Sequence, residues 1–166
     1  MSRWWIGCSG FYYKQWREKF YPQGLSQRKW FEYYCEHFNS VELNVTFYRV
    51  PKPETFKSWY NRSPADFKFT VKAPRLITHY KKFRNLTTEL TRFYDIVLKG
   101  LRDKLGSVLF QMHPRFEYSE ENLHLLLQHL DPAFTNVLEF RHASWWNEKV
   151  YKALRKNNIC FCSISY

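Results

Sequence analysis

Acidic side chains are scarce in this chain. Aspartate and glutamate number 15 against 26 lysines and arginines, a formal net charge of +11 over 166 residues. Such an excess favours polyanionic partners, nucleic acid among them, or simply keeps a basic surface soluble. Long apolar runs are also missing. No stretch of about 18 apolar residues occurs, so no membrane-spanning helix is expected. The opening run MSRWWIGCSG turns too early for a secretory signal. Cysteine is limited to Cys8, Cys35, Cys160 and Cys162, without paired C-x-x-C motifs, which argues against structural zinc. Cys8, Cys160 and Cys162 lie in apolar, strand-like runs and read as small buried hydrophobes. Reduced thiols and the lack of a signal together predict a cytoplasmic protein. The sequence has no H-x-H, no H-E-x-x-H and no aspartate cluster, so it names no cofactor and carries only a weak signal for a divalent metal. No linker or low-complexity stretch divides it, so residues 1–166 read as one domain. Aromatic residues, by contrast, make up 20% of the chain, more than a core needs. Some of them are expected to line a cleft or a binding face.

Short β-rich runs alternate with longer helical ones. Strands are predicted at Trp4–Cys8, Ser40–Asn44, Phe67–Ala73, Ser107–Met112, Asn136–Arg141 and Ile159–Ser165. Between the first two, the period is helical from Ser26, a candidate cap, to Phe38, with Trp30, Phe31, Tyr34, Cys35 and Phe38 in one stripe. A short helix follows Pro53, with Phe56, Trp59 and Tyr60 on one face. The strongest helical signal runs from Thr88 to Leu105, with Gly106 ending it. Ser119 caps the next helix, which carries Leu123, Leu126, Leu127 and Leu130. Val150, Tyr151 and Leu154 mark a fifth helix. Such alternation implies right-handed βαβ units and an all-parallel sheet. Eight such units need about 250 residues to close a barrel. Six strands and five helices therefore predict an incomplete TIM-type (β/α) barrel of the α/β class, short by about two units.

Strand parity sorts the side chains by face. Val41 and Leu43 oppose Glu42 and Asn44; Phe69 and Val71 oppose Lys68, Thr70 and Lys72. Val108, Phe110 and Met112 oppose Leu109 and Gln111; Leu138 and Phe140 oppose Glu139 and Arg141. The apolar faces must meet the helices, so the polar set points inward. Asn44, Lys72, Gln111 and Arg141 fall at the last positions of their strands, where barrel enzymes build their sites. Two readings stay open. The set forms a self-satisfied ion-pair cluster, Glu42 with Lys72 and Glu139 with Arg141, or it forms a ligand site. Burying charges costs several kcal/mol unless they are paired, so folding alone does not favour this composition.

The loops after the strands add Arg75 and His79 in A-P-R-L-I-T-H, His142, Trp145 and Trp146 in R-H-A-S-W-W, and Phe47, Tyr48 and Arg49 in T-F-Y-R-V-P. His37, His124 and His129 sit in helical stretches and read as surface residues; His113, beside Pro114 just past the fourth strand, is within reach of the rim but is not counted among the site residues.

The runs W-I-G-C-S-G-F-Y-Y-K-Q-W, F-Y-P, F-N-S-V-E-L-N-V-T-F-Y-R-V-P, F-K-F-T-V-K-A-P-R-L-I-T-H, V-L-F-Q-M-H-P-R-F and L-E-F-R-H-A-S-W-W span residues 4–146. Together, and in this order, they resemble the YecE-like family, a domain of unknown function (DUF72). The resemblance implies a TIM-type barrel. It also implies a chain that continues past the sixth strand with an arginine- and histidine-bearing strand and a tyrosine-rich final segment, so this chain is expected to be C-terminally truncated relative to the family. Where the family carries Pro-Pro after the strand-four glutamine, this chain has Met112-His113-Pro114. The resemblance brings no settled activity.

Three functions fit these residues. The first is hydrolysis of a phosphate-bearing substrate, nucleic acid above all. Lys72, Arg75 and Arg141 would hold phosphate oxygens, Asn44, Tyr48, Gln111 and Trp145 would help bind the substrate, Glu42 or Glu139 would act as base or metal ligand, and His79 or His142 as acid or ligand. The second is non-catalytic binding of single-stranded nucleic acid, with Tyr12, Tyr48, Trp145 and Trp146 as stacking surfaces. The third is hydrolysis of a sugar-like substrate by Glu42 and Glu139 as paired carboxylates.

Overall fold

The computed structural model describes residues 3–86 and 88–164. Six strands form one parallel sheet in the order of the chain: β1 (Gly7–Cys8), β2 (Ser40–Leu43), β3 (Lys68–Lys72), β4 (Leu105–Gln111), β5 (Asn136–Glu139) and β6 (Cys160–Cys162). Crossover helices α1 (Trp30–His37), α3 (Pro53–Arg62), α4 (Glu89–Leu101), α5 (Glu120–His129) and α6 (Glu148–Lys156) connect them, and a single extra turn, α2 (Val45–Tyr48), follows β2. Among the described residues β1 and β6 do not pair with each other, so the sheet stays open on both sides. The architecture is the expected incomplete (β/α) barrel.

Burial follows parity. Val41, Leu43, Phe69, Val71, Val108, Phe110, Leu138 and Phe140 are all buried against the helices. The inner face carries the polar set, as the Thr70–Ser107 hydroxyl contact at 2.9 Å across β3 and β4 illustrates. Helix α5 begins as expected, with the Asn122 amide donating to Ser119 Oγ at 3.1 Å. Asn147 caps α6 in the same way. Ser26, by contrast, makes no side-chain cap; a 3-10 turn at Gln27–Lys29 follows it and α1 starts at Trp30.

The largest departure concerns the stretch around Gly106. Helix α4 stops at Leu101, Arg102 takes a left-handed backbone (φ 48°), and a 3-10 turn leads into β4 at Leu105. Gly106 thus lies inside the strand, where the register against β3 slips between Phe69 and Thr70. Lys104 explains why the helix ends early. Its ammonium is buried and donates to Tyr60 O at 2.6 Å, Ser63 O at 2.8 Å and Ser63 Oγ at 2.9 Å, so it caps the C-terminus of α3. A continued α4 would carry that side chain away from these acceptors.

The cysteines also differ from expectation. All four are free thiols; Cys8 and Cys162 are only half-buried, and Cys160 is exposed. Cys160 and Cys162 stand on the inner face of β6, opposite Val137 and Glu139, with no further strand beside them among the described residues.

Candidate functional site

The strand ends hold two small polar groups. In the first, β4 and β5 place Gln111 and Glu139 in register, and Gln111 Nε2 donates to Glu139 Oε1 at 2.9 Å. Arg141 Nε donates to the same oxygen. Glu139 is 5% exposed, so two donors, one of them charged, offset the desolvation of its carboxylate. This is the expected Glu139–Arg141 ion pair. In the second group Ser9 Oγ donates to Glu42 Oε1 at 2.6 Å, and Asn44 Nδ2 donates to Ser9 Oγ at 2.5 Å and to Ser9 O at 3.0 Å. No ion pair joins Glu42 to Lys72 among the described residues; Ser9 stands at the carboxylate instead. Cys162 lies where both groups act on it. Burial raises its thiol pKa, Glu139 and Glu42 raise it further, and Arg141 opposes them.

Neither Asn44 nor Arg141 is a last strand residue: Asn44 opens α2, and Arg141 lies two residues past the end of β5. Thr46 Oγ1 fixes that turn by donating to Leu43 O at 2.7 Å and to Lys72 O at 2.6 Å. The turn brings Phe47 under the ammonium of Lys72, 5.2 Å from the ring centre. It also sets Phe47 edge-to-face with His79, 4.9 Å between ring centres.

His79 comes from a π-helical turn, Leu76–Tyr80, after β3. Its Nδ1 lies 2.9 Å from Thr78 Oγ1, and its ring is 5.2 Å from that of His113. Burial, then His113, Lys72, Arg141 and Lys82, all lower its pKa below the ordinary histidine value. A neutral imidazole therefore faces several cations. His113, which the sequence reading put within reach of the rim but left out of the site, is the added member. Its Nδ1 accepts the Arg115 amide at 2.9 Å, which puts the proton of the neutral ring on Nε2. The signal was its place directly after β4, on the same rim as His79.

Arg75 and Tyr48 sit further out. The Arg75 guanidinium lies 5.8 Å from the Tyr48 ring centre and 5.5 Å from that of Tyr80.

Two expected site residues lie elsewhere. His142 Nδ1 is 2.8 Å from Ser144 Oγ and accepts the Ser144 amide at 3.3 Å, while Nε2 lies 3.9 Å from Glu117 Oε1. It caps its own loop, and among the described residues no hydrogen bond or ion pair links it to Glu139. Trp145 is not part of a binding wall. It is fully buried, stacked on Phe140 at 4.1 Å and on Phe116 at 5.4 Å, and its indole N–H donates to Phe116 O at 2.6 Å. A large ring whose single polar atom finds a buried carbonyl belongs in a core.

A cavity of about 700 Å³ adjoins the second group. Tyr12, Phe31, Trp59 and Arg28 line it, together with Glu42 and Asn44, but none of Lys72, Gln111, Glu139 and Arg141 does. Its size falls within the range of small-molecule pockets. Among the described residues no three His, Cys, Asp or Glu side chains gather as metal ligands, and no helix is long and apolar enough to cross a membrane.

The chain is 28% identical over 142 residues to the UPF0759 protein YunF of Bacillus subtilis (strain 168), covering 81% of this chain and 50% of that protein. It is 32% identical over 116 residues to the UPF0759 protein YecE of Escherichia coli (strain K12), covering 69% of this chain and 42% of that one. It therefore spans about half the length of these curated relatives. Among solved structures, a DUF72 family protein from Thermotoga maritima MSB8 superposes with a TM-score of 0.81 at 31% identity, over 95% of this chain and 63% of that one. A DUF72 family protein from Enterococcus faecalis V583 shares the fold with a TM-score of 0.69 at 20% identity, over 82% of this chain and 59% of that one. The DUF72 family model, described as a protein of unknown function, matches residues 5–165, and the chain belongs to that family.

Proposed function

We propose that the rim formed by Lys72, His79, Gln111, Glu139 and Arg141 binds a phosphate ester and hydrolyses it. The observation that carries this reading is His79: a partly buried imidazole acted on by Lys72 and Arg141, with its pKa lowered. Two cations beside a partly buried imidazole suit an anion, and an arginine side chain matches the geometry of a phosphate group. His79, neutral near pH 7, takes the proton of an attacking water as the phosphorus–oxygen bond to the leaving group breaks. His113, whose ring lies 5.2 Å from that of His79 and whose proton is on Nε2, serves as a donor to a phosphate oxygen or to the leaving oxygen.

The test pairs binding with turnover. Inorganic phosphate titrated by calorimetry is expected to bind, and Lys72→Met is expected to weaken it about tenfold or more. Hydrolysis of bis(p-nitrophenyl) phosphate is expected to fall about 100-fold or more in His79→Gln, with phosphate binding retained. Phosphate binding that ignores both Lys72 and Arg141 would falsify the reading.

A further inference from the structure

The exposed aromatic rings beside this rim are unexplained by phosphate chemistry alone. Tyr48 is 69% exposed and Tyr80 is 66% exposed. They stand on different loops, after β2 and β3, and the Arg75 guanidinium lies between them, 5.8 and 5.5 Å from their ring centres. Lys72 lies next along the same side, over Phe47. Lys82 follows close enough to act on His79. From Val45 to Leu86 the only acidic residues are Glu54 and Asp66, against ten lysines and arginines. Both β2 and β3 are paired on both sides, so the open edges of the sheet do not border these loops.

We infer that Tyr48, Arg75 and Tyr80 form a ridge that binds single-stranded nucleic acid and leads its backbone to the rim at Lys72. This rests on the proposed phosphate site and names its substrate class. Three features select this partner. Flat rings left in solvent give unpaired bases a surface to stack on, and any base can use it. A guanidinium between two rings adds cation–π attraction and a phosphate contact. The neighbouring lysines neutralise successive phosphates. A duplex hides the faces of its bases and leaves the tyrosines unused. An acidic protein or a lipid surface would use the charges and has little use for rings that stack.

Fluorescence anisotropy of the whole chain with labelled oligo(dT) tests this. Tyr48→Ala and Tyr80→Ala are each expected to weaken binding about fivefold or more. Both rings are exposed, so thermal melts should show the fold intact. Arg75→Gln is expected to flatten the slope of log K against log salt by about 0.7. Duplex DNA should bind more weakly than oligo(dT), and polyphosphate, which has no bases, should bind the tyrosine variants and the unaltered chain alike. Equal oligo(dT) binding by the double tyrosine variant would overturn the inference, as would a matching loss for polyphosphate or for anionic vesicles. Phosphate binding that depends on Lys72 while oligo(dT) fails to bind would sink the ridge and leave the rim. Tyrosine-dependent oligo(dT) binding with no Lys72-dependent phosphate binding would do the reverse.

Discussion

His79 concentrates the electrostatics of the rim in one side chain. Burial, a second histidine and three cations all disfavour its charged form. The folded chain therefore binds fewer protons at this residue than the unfolded chain does, once pH drops into the range of an ordinary histidine, near 6.5. Stability from this group is complete above that value and is lost as pH falls below it. Melting temperature measured from pH 7 down to pH 5 is expected to decline, and His79→Gln is expected to decline less steeply. Parallel curves for the two proteins would show that the imidazole does not feel these cations. The two ion pairs expected of the charged set fare differently. Glu139 and Arg141 do satisfy each other, but Glu42 turns to Ser9 instead of Lys72. That leaves Lys72 facing a phenyl ring, a placement that ion-pair bookkeeping alone would not favour.

At the scale of elements, Lys104 joins two helices that never meet in sequence. Its three donors close the C-terminus of α3 from the turn that ends α4. Lys104→Met keeps most of the stem and leaves those oxygens without their donor. Urea denaturation is expected to show a loss of about 1–3 kcal/mol, and an unchanged midpoint would mean that water serves the acceptors as well. Much of this level was legible in the sequence, because alternation in strands has a strict period. Val41 against Glu42, Phe69 against Thr70 and Leu138 against Glu139 separate the faces without any tertiary information. The illegible parts depend on distant residues. The loop position of Trp145 looks exposed until Phe116 and Phe140 close over it from other elements. The stretch Val45–Tyr48 reads as a loop after the strand, because the turn is fixed from a distance: Thr46 finds its second acceptor in β3. His113 gains meaning only when the loop after β3 delivers His79 beside it.

Across the whole molecule, protection is expected to fall from the middle of the sheet outward. Strands β3 and β4 are each paired on both sides, and β4 is the longest, at seven residues. Strands β1 and β6 have two and three residues and, among the described residues, one neighbour each. Amide hydrogen exchange is expected to be slowest in β3 and β4 and fastest in β1 and β6, because edge groups open without disturbing the core. Slow exchange in β6, matching β4, would mean that another chain covers that edge.

The order of the strands has one more consequence, for how the chain is made. Every pairing joins strands that are consecutive in the sequence, and none reaches further along the chain than that between Thr70 and Ser107. Ring-closing entropy is thus met in modest steps, each after the previous strand already exists. The sheet can be assembled in the direction of synthesis, N-terminal strand first. A ribosome that pauses after any crossover leaves behind a sheet whose hydrogen-bond ladders are complete up to that point.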